Sequence, residues 1–492
     1  MQAITEAALN QPEQVAIIAS GKSFSYKTLL QASRQFATHL LGGRKDLESA
    51  RVAYMVDPGF DYVKVQWGIW QSGAVAVPLC ITHPLPSLQY VLEDTATTIL
   101  VISPQYHDLL AAYAELNAIR LIVLDRVPEL AVAELPRVDP QRNAMILYTS
   151  GTTNRPKGVV TTHANIAAQI KSIASAWQYA PTDHTLCVLP LHHVHGIINV
   201  VSATLSAGGI VEFASSFSVE DIFSRFLKGH INVFMAVPTI YFKLIAGWES
   251  LDGEARQRLK NAMKKFRLMV CGSAALPVSV MEKWEMVSGH VLLERYGMTE
   301  IGMGISNPYE GLRKPGAIGI PLPGVEVRLV DENMQPVING EAGEIQIKGE
   351  NVFKEYWNKP EATAKEFTPD GWFKTGDVAL VEEGYYRILG RSSVDIIKSG
   401  GYKLSALEIE EVMRTHALVD DCAVVGIADE EWGERVVAAV VAKPGLEERQ
   451  LNQWMRTQLP AYKTPRKYLM VKELPRNAMG KVVKNEVKTM FQ

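Results

Sequence analysis

The alternation of short apolar runs with helical segments is the feature that most constrains this chain. From Arg51 onward, runs rich in β-branched residues, such as 51–56 and 98–103, are separated by segments of helical length. A second series of such runs follows Thr162 and includes 266–272. This alternation predicts parallel sheets with helices on their faces. We therefore predict an α/β protein with two similar parallel-sheet subdomains that extend to about residue 310.

The length of the chain requires further folding units. At roughly 150 residues per domain, 492 residues correspond to about three units. Short strands and tight turns in 316–349 predict a β-rich subdomain, over about 311–391. The last hundred residues show a separate helix, strand, strand, helix pattern. We therefore predict a large N-terminal domain, 1–391, and a small α+β C-terminal domain, 392–492.

Charge and cysteine usage exclude several functional classes. Fifty Lys and Arg against 53 Asp and Glu leave a net charge of −3, which gives no electrostatic reason to expect nucleic acid or an anionic membrane as partner. The most apolar long window, 197–211, is shorter than the roughly 20 residues of a membrane helix. The four cysteines form no CxxC pair, and the N-terminus shows no targeting pattern. These features predict a reducing, cytoplasmic location without disulfides or structural zinc.

A segment rich in glycine and hydroxyl residues points to phosphate chemistry. Residues 148–158 read YTSGTTNRPKG, after an apolar run and before a helical segment. Small residues allow backbone N–H groups to surround a phosphate, hydroxyls add donors, and Lys157 adds a positive charge. It is not a Walker A loop, because glycine follows the lysine. A flexible linker of similar composition is the alternative interpretation.

This segment is the first of a series of motifs that occur in a characteristic order. The others are RYGMTE (295–300), WFKTGD (372–377), GR (390–391) with KSGG (398–401), and PRNAMGK (475–481). In order and spacing the series resembles the adenylate-forming superfamily of acyl-CoA synthetases, nonribosomal adenylation domains and luciferases. The resemblance spans nearly the whole chain. It implies the adenylate-forming fold, with a mobile C-terminal domain.

The resemblance implies an ATP site and assigns roles within it. The implied ATP-binding residues are Thr149, Ser150, Gly151, Thr152, Thr153, Lys157, Ser273, Ala274, Tyr296, Thr299, Asp377, Arg391 and Lys481. Tyr296 would stack on adenine, and Asp377 would accept hydrogen bonds from the ribose hydroxyls. Glu300, together with Thr152, would bind Mg²⁺, which suits one carboxylate plus phosphate oxygens.

Three residues are implied to be catalytic: Lys481, Thr299 and Glu300. Lys481 would stabilise charge on the oxygens of the reacting carboxylate and the α-phosphate. This cation matters because forming an acyl-adenylate brings anionic groups together. A lysine acetyltransferase acting on Lys481 is a further implied partner, since acetylation would remove the charge.

The second half-reaction, attack by a CoA thiol, is implied to use another part of the C-terminal domain. Gly400, Gly401 and Tyr402 would line the tunnel for CoA after the domain rotates about a hinge. The hinge position is Ser393, where the family commonly has Asp or Lys, and Asp395 is the alternative. Asn154 also departs from the usual glycine of the phosphate loop. We expect the loop to survive, because Asn tolerates left-handed backbone.

Arg295 suggests which acid is activated. A guanidinium beside the acyl position can bind a second carboxylate through two parallel hydrogen bonds. Together with the segments 190–196, 231–241, 273–277 and 394–398, it resembles malonyl-CoA synthetases. The resemblance implies malonate as substrate, with methylmalonate a near relative, and ATP, Mg²⁺ and CoA as co-reactants. His193, His195 and Met303 are the further residues expected at the acid pocket.

Alternatives remain open for these residues and for the function. Arg295 could form a structural ion pair, for example with Glu294. The pair His193 and His195 resembles metal ligands but lacks a third member, and Met303 fits a core position equally well. The other candidate functions are a fatty or aryl acyl-CoA ligase, an adenylation enzyme that loads a separate carrier protein, and a non-catalytic nucleotide-binding protein.

Overall fold

The computed structural model describes residues 2–149, 156–338, 340–400, 402–477 and 480–491. Several helices begin at the Ser, Thr or Asp that a capping pattern requires, because the side chains of Ser25, Thr162, Ser218, Asp252 and Ser405 accept hydrogen bonds from first-turn amides. The α-helices are α1 (Gln2–Asn10), α2 (Tyr26–Leu41), α3 (Phe60–Gln71), α4 (Leu85–Asp94), α5 (His107–Leu116), α6 (His163–Ala176), α7 (Ala203–Ser206), α8 (Val219–Lys228), α9 (Pro238–Glu249), α10 (Gly253–Met263), α11 (Val278–Ser288), α12 (Pro360–Glu366), α13 (Ala406–Arg414), α14 (Glu448–Gln458) and α15 (Lys484–Thr489).

Strands supply the frame on which the helices pack. The strands are β1 (Val15–Ala19), β2 (Lys22–Ser25), β3 (Arg51–Met55), β4 (Val75–Pro78), β5 (Ile99–Ile102), β6 (Arg120–Val123), β7 (Asn143–Thr149), β8 (Lys157–Thr162), β9 (His184–Cys187), β10 (Ile210–Phe213), β11 (Val233–Ala236), β12 (Leu268–Cys271), β13 (Leu293–Met298), β14 (Gly302–Ser306), β15 (Ile320–Pro321), β16 (Val325–Val330), β17 (Gly343–Gly349), β18 (Glu355–Tyr356), β19 (Phe373–Glu382), β20 (Tyr385–Arg391), β21 (Ile396–Ser399), β22 (Tyr402–Ser405), β23 (Val419–Asp429), β24 (Gly433–Ala442) and β25 (Lys467–Val471). Short 3₁₀ turns at 104–106 and 124–126 and a π-helix at 195–202 complete the elements.

Two large sheets with helices on their faces confirm the expected α/β class. The first has seven strands in the order β18-β8-β7-β4-β3-β5-β6, and the second nine, in the order β15-β14-β13-β12-β11-β9-β10-β1-β2. The central strands of both sheets are parallel, as the alternation predicts. Antiparallel strands close both edges of the nine-stranded sheet and the β18 edge of the seven-stranded sheet, whereas β6 pairs in parallel with β5 at the other edge.

A third sheet of four antiparallel strands, β16-β17-β19-β20, corresponds to the expected β-rich subdomain. One buried core joins it to the two large sheets, and includes Val101, Val270 and Ile347. Strand β18 comes from the same stretch of chain but pairs with β8 of the seven-stranded sheet. The β-rich segment therefore reaches back to the phosphate-loop strand.

The C-terminal elements from β21 to α15 build a separate sheet around β23 and β24, with their own buried clusters. We refer to them as the C-terminal domain. Their contacts with the rest of the protein include the hydrogen bond from the Ser405 hydroxyl to the Leu389 carbonyl, the ion pair between Lys398 and Glu332, and the contacts described below. Among the described residues, none of the helices is both long and apolar enough to cross a bilayer.

Candidate active site

The cleft lies where strands of both large sheets end. Strand β7 ends at Thr149, β12 at Cys271 and β13 at Met298, and each leads into one of the motifs found in the sequence. Carboxyl ends of parallel strands are the usual ligand-binding edge of open α/β sheets. The fold thus brings the ends of β7, β12 and β13 to one edge, and the C-terminal domain adds Lys481.

The phosphate-loop motif connects two antiparallel strands. Thr149 and Lys157 are direct cross-strand partners, so they bracket the loop at its base. Tyr90 supports this base, because its hydroxyl donates to the carbonyl of Pro156 at 2.8 Å. The other expected phosphate ligands, Ser150, Gly151, Thr152 and Thr153, lie outside the described residues. So does Asn154, where the family usually has glycine.

Lys157, Tyr356 and Glu300 form a contact series beside the loop. The Lys157 Nζ lies 4.7 Å from the centroid of the Tyr356 ring, and the Tyr356 hydroxyl donates to Glu300 Oε1 at 2.9 Å. Burial raises the pKa of Glu300, while Tyr356, Arg391 and Lys157 favour its charged form. A buried carboxylate of this kind is suited to a cation as partner.

Tyr356 was missed at the sequence level. It lies in no motif and belongs to a two-residue strand, paired with Val159 of β8. The Trp357 amide also donates to the Gly158 carbonyl at 2.7 Å, which extends the pairing. Only a signal for this long-range pairing could have identified the tyrosine, and the sequence pattern contains none.

Tyr296, Asp377 and Arg391 form the second group of the cleft. The Tyr296 hydroxyl donates to Asp377 Oδ2 at 2.6 Å, and Arg391 Nε donates to Asp377 Oδ1 at 3.0 Å. Asp377 and Arg391 face each other across β19 and β20. Burial raises the pKa of Tyr296, so its hydroxyl remains a donor. Ribose hydroxyls that bind Asp377 must share its oxygens with these two donors.

Arg295, Ser273 and His195 form the third group of the cleft. Its side chain is only 4% exposed, and its Nη2 donates to Ser273 Oγ at 3.1 Å. Ser273 Oγ also lies 3.1 Å from Nδ1 of His195. Arg295 Nε and His195 Nε2 are buried without a protein partner among the described residues. Unpartnered buried donors are costly, so these atoms suit a ligand that accepts hydrogen bonds.

The charge states within this group follow from burial. Burial lowers the pKa of Arg295 to about 9, and it also lowers that of His195, which Arg295 depresses further. Neutral His195 can accept a hydrogen bond from the Ser273 hydroxyl at Nδ1, and its own proton then lies on Nε2. Arg295 then supplies the positive charge of the group, and Ser273 orients it.

Gly272 gives Arg295 the space that it occupies. A Cβ at position 272 would lie 2.7 Å from Arg295 Nε and 2.8 Å from the Arg295 carbonyl oxygen. The next residue, Ser273, has a φ of 71°, a conformation that L-residues rarely adopt. Such local strain is typical of functional sites. The backbone of β12 thus bends to bring the Ser273 hydroxyl to the arginine.

The ion-pair alternative for Arg295 does not hold. Glu294 points to the other face of β13, where its Oε1 accepts from the Leu276 amide at 3.3 Å. Its Oε2 has no partner among the described residues, and burial raises its pKa to about 8. Glu294 is therefore protonated at neutral pH, and the two side chains form no salt bridge.

Glu294→Gln tests this protonation. Because the folded pKa lies above the ordinary 4.5, the folded state holds a proton that the unfolded chain releases, and stability falls as pH rises from 4.5 to about 8. As pH rises through this window, the free energy of unfolding of the variant should increase relative to that of wild type by about 1.4 kcal/mol per pH unit. Melting temperatures of both proteins at pH 5 and pH 8 measure it. Equal pH dependence of the two proteins would contradict the assignment.

His193 and Met303 are placed differently. The His193 ring lies 4.0 Å from that of His192, and burial lowers its pKa to about 3, with Lys481 nearby. No group of three metal-ligating side chains occurs in the part of the chain that the structure describes. Met303 is 2% exposed and belongs to the main core.

Lys481 enters the cleft on a tight turn of the C-terminal domain. The Asn477 amide donates to the Lys481 carbonyl at 2.9 Å, and the Lys481 amide to Asn477 Oδ1 at 3.0 Å. Gly480 has a φ of 74° and faces Thr239 of α9. Loss of hydration, and then Arg391, lower the pKa of Lys481, whereas Asp377 raises it. The side chain thus lies among the groups that are expected to hold ATP and the acid.

Thr299 and Ala274 complete the expected nucleotide residues of the cleft. Thr299 lies with Glu300 in the turn between β13 and β14, and Ala274 follows Ser273 after β12. Both are accessible to solvent at the strand ends. These positions suit contacts with a bound nucleotide.

The residues expected to bind CoA are not brought to this cleft. Gly400 packs on Trp432, and Tyr402, 56% exposed, stacks on Tyr462 at 4.6 Å, all within the C-terminal domain. Gly401 lies outside the described residues. In the arrangement that the structure shows, Lys481 of the C-terminal domain lies near the cleft, and Gly400 and Tyr402 do not.

The expected hinge residue Ser393 is exposed. Its neighbour Asp395 accepts from the Arg391 amide at 3.1 Å and pairs with Lys484 of the C-terminal domain at 3.2 Å. The backbone at Ser393 therefore lies between the Arg391 side of the cleft and a residue that is anchored to the C-terminal domain.

Comparison with known proteins gives the family. The model of the AMP-binding enzyme family matches residues 4–357, and that of the AMP-binding enzyme C-terminal domain matches 408–481. A mitochondrial malonate–CoA ligase of Bos taurus is 42% identical over 96% of this chain and 88% of its own. Because that relative is mitochondrial, the expected cytoplasmic location is not confirmed.

Two further relatives agree. A malonate–CoA ligase of Arabidopsis thaliana is 40% identical over 99% of this chain and 87% of its own. The crystal structure of ATP-bound MatB from Rhodopseudomonas palustris superposes with a TM-score of 0.91 and 33% identity, covering 99% of this chain and 98% of that chain. The motifs, the fold and these matches agree, and the chain belongs to the AMP-binding enzyme family.

Proposed function

We propose that this protein is an ATP-dependent malonate–CoA ligase. It joins malonate to AMP, releases pyrophosphate, and then transfers the malonyl group to CoA with release of AMP. The observation that carries the proposal is Arg295, which is buried and has no carboxylate partner among the described residues. It lies beside Ser273 and near Lys481. The malonate–CoA ligases at 40–42% identity support it.

In the first half-reaction a malonate oxygen attacks the α-phosphorus of ATP, and the bond to pyrophosphate breaks. Arg295 would hold the carboxylate that does not react, with Ser273, His195 and the nearby His193 as its surroundings. Lys481, with Thr299, would stabilise negative charge on the reacting carboxylate and the α-phosphate. Preorganised cations of this kind act where charge develops, and they need no reorganisation during the reaction.

The nucleotide would lie between the two remaining groups. Tyr296 provides an aromatic face for adenine, while Asp377 and Arg391 bind the ribose. Thr149, Lys157 and the loop between them would hold the β- and γ-phosphates, with Ala274 and Ser273 at the opposite side. The Tyr356 ring restrains the Lys157 ammonium group at the base of the loop.

Glu300 fits Mg²⁺ as a ligand, with Thr152 as the proposed second. Glu300 is 6% exposed, and its carboxylate accepts from the Tyr356 hydroxyl at Oε1. An ionised carboxylate has about four lone-pair sites, so it can bind a cation as well. Magnesium takes one or two carboxylates and completes its shell with phosphate oxygens and water. When bound, it would neutralise charge on the phosphates.

Glu300→Gln is expected to lower the pyrophosphate-exchange rate by about 10²-fold and to raise the Mg²⁺ concentration needed for half-maximal rate. The amide keeps the size of the side chain but loses the charge. A magnesium titration of the exchange rate measures both effects. Glu355→Gln, a half-exposed carboxylate next to Tyr356, serves as control. An unchanged magnesium requirement in Glu300→Gln would contradict the role.

Transfer to CoA requires the C-terminal domain to move, because Gly400, Gly401 and Tyr402 belong to the proposed CoA tunnel. We place the domain boundary between 391 and 392, where β20 ends, and the pivot at Ser393. The two bodies have separate cores, which allows them to rotate as units.

Acetylation of Lys481 by a lysine acetyltransferase stays a prediction, and full adenylation activity after acetylation would contradict it.

Pyrophosphate exchange across a panel of acids tests the substrate. Malonate is expected to support exchange best and methylmalonate next, with succinate, acetate and octanoate far slower. Octanoate as the best acid would indicate a fatty acyl-CoA ligase. ATP binding without exchange for any acid would indicate a non-catalytic nucleotide-binding protein. Activity with a holo-carrier protein in place of free CoA would identify a carrier-loading enzyme.

A further inference from the structure

A carboxylate of the C-terminal domain bonds the start of a helix in the N-terminal body. Glu411 Oε1 accepts from the Val278 amide at 2.7 Å. Glu411 lies on α13, and Val278 is the first residue of α11, 133 positions away in the chain. This hydrogen bond therefore exists only while the two bodies are docked as the structure shows.

Helix α11 has no cap from its own chain segment. Its N-cap residue is Pro277, which makes no capping hydrogen bond, and its first turn holds no acidic residue. The first amides of a helix need acceptors, and a negative charge there also interacts well with the helix dipole. Glu411 supplies both from the other domain.

The capped helix follows directly on the segment that forms the acid pocket. Residues 272–277 run from the end of β12 to α11 and carry Ser273, which bonds Arg295. Within the same segment, the Leu276 amide bonds Glu294, the neighbour of Arg295 on β13. Glu411 thus fixes the far end of the segment whose near end orients the arginine.

A second contact between the bodies lies beside Lys481. Gly480 faces Thr239 in the first turn of α9, and a Cβ there would lie 3.2 Å from the threonine side chain. The Glu411 contact and the approach of Lys481 to the cleft therefore belong to the same docked arrangement of the two bodies. Burial raises the pKa of Glu411, whereas the Val278 amide and Arg414 favour its charged form.

We propose that Glu411 is a positioning residue for adenylation, which couples docking of the C-terminal domain to the order of the acid pocket. It acts through the N-terminus of α11 and touches none of the reacting atoms. When the domain is docked, α11 is capped, Ser273 is held against Arg295, and Lys481 is in the cleft. The proposal rests on the proposed function only for the choice of acid.

Comparison of the two half-reactions tests it. Glu411→Ala is expected to lower pyrophosphate exchange about 3- to 30-fold, the range of a lost helix cap, and to raise the KM for malonate. Glu411→Gln, which keeps an acceptor, should lose less. The rate at which CoA consumes preformed malonyl-adenylate, measured by rapid mixing, should be unchanged or faster in both variants.

A matched control is available on the same helix. Glu408 pairs with Lys463 inside the C-terminal domain at 2.7 Å, so Glu408→Gln removes a carboxylate without affecting the docking contact. It should leave the ratio of the two half-reactions as in wild type. An equal fall of both half-reactions in Glu411→Ala, or unchanged exchange, would overturn the proposal. If wild type showed no exchange with malonate, the proposed function would fail instead, and the same ratio could be measured with the acid that is accepted.

Discussion

Lys481→Ala is expected to reduce malonate-dependent pyrophosphate exchange by about 10²- to 10³-fold, the loss seen when one preorganised charge-stabilising group is removed. The lysine lies close to Arg391, Asp377 and Arg295, so its charge is directed at the site where the carboxylate meets the α-phosphate. Its truncation leaves the acid pocket and the nucleotide groups in place. Isotope exchange between pyrophosphate and ATP measures the loss.

The second half-reaction separates catalysis from stability in this variant. Once the adenylate has formed, Lys481 is no longer needed, so CoA should consume preformed malonyl-adenylate at a rate within about threefold of wild type, a difference of less than 1 kcal/mol. Lys472→Ala, which removes an exposed lysine of the same domain, should change neither step. Equal losses in both half-reactions of Lys481→Ala would show a structural role instead.

Arg295→Ala is expected to lower kcat/KM for malonate by roughly 10- to 150-fold, which is the worth of a charge-assisted hydrogen bond. The rate with acetate, which has no second carboxylate, should change little. The ratio of kcat/KM for malonate to kcat/KM for acetate should therefore fall by nearly the same factor. Arg295→Lys keeps the charge but loses the planar fork and should recover only part of the ratio.

A control arginine distinguishes specificity from general damage. Arg328 pairs with Asp370 on the four-stranded sheet, and Arg328→Ala should leave the malonate-to-acetate ratio unchanged. If Arg295→Ala kept the wild-type ratio, Arg295 would not bind the second carboxylate. The substrate assignment would then lose its main structural support.

The sequence motifs identified individual side chains of the candidate site, but not the residues that contact them. Lys157, Glu300, Asp377 and Lys481 were identified because their motifs occur in order, and the structure places them around one cleft. Tyr356, which links Lys157 to Glu300, was missed because it depends on pairing between β8 and β18, almost 200 residues apart in sequence. Local periodicity contains no information on such pairing.

The contacts within the acid pocket were not predicted from the sequence either. Ser273 is expected among the nucleotide residues, and the sequence did not predict that its hydroxyl contacts Arg295 and His195. That geometry depends on a positive φ at Ser273, which no residue preference predicts for serine. The alternation of apolar runs and helical segments predicted the fold class. It did not predict the antiparallel strands at the sheet edges. Strands β1 and β2 also join the second sheet, beside β10, although they begin the chain.

Product analysis tests the central claim most directly. Purified protein with malonate, ATP, Mg²⁺ and CoA is incubated, and all nucleotide and acyl products are quantified by mass spectrometry. Malonate–CoA ligase activity predicts malonyl-CoA, AMP and pyrophosphate in equal amounts, with no product when malonate is omitted. Formation of ADP and phosphate, or the absence of malonyl-CoA while another acid is converted, would contradict the account.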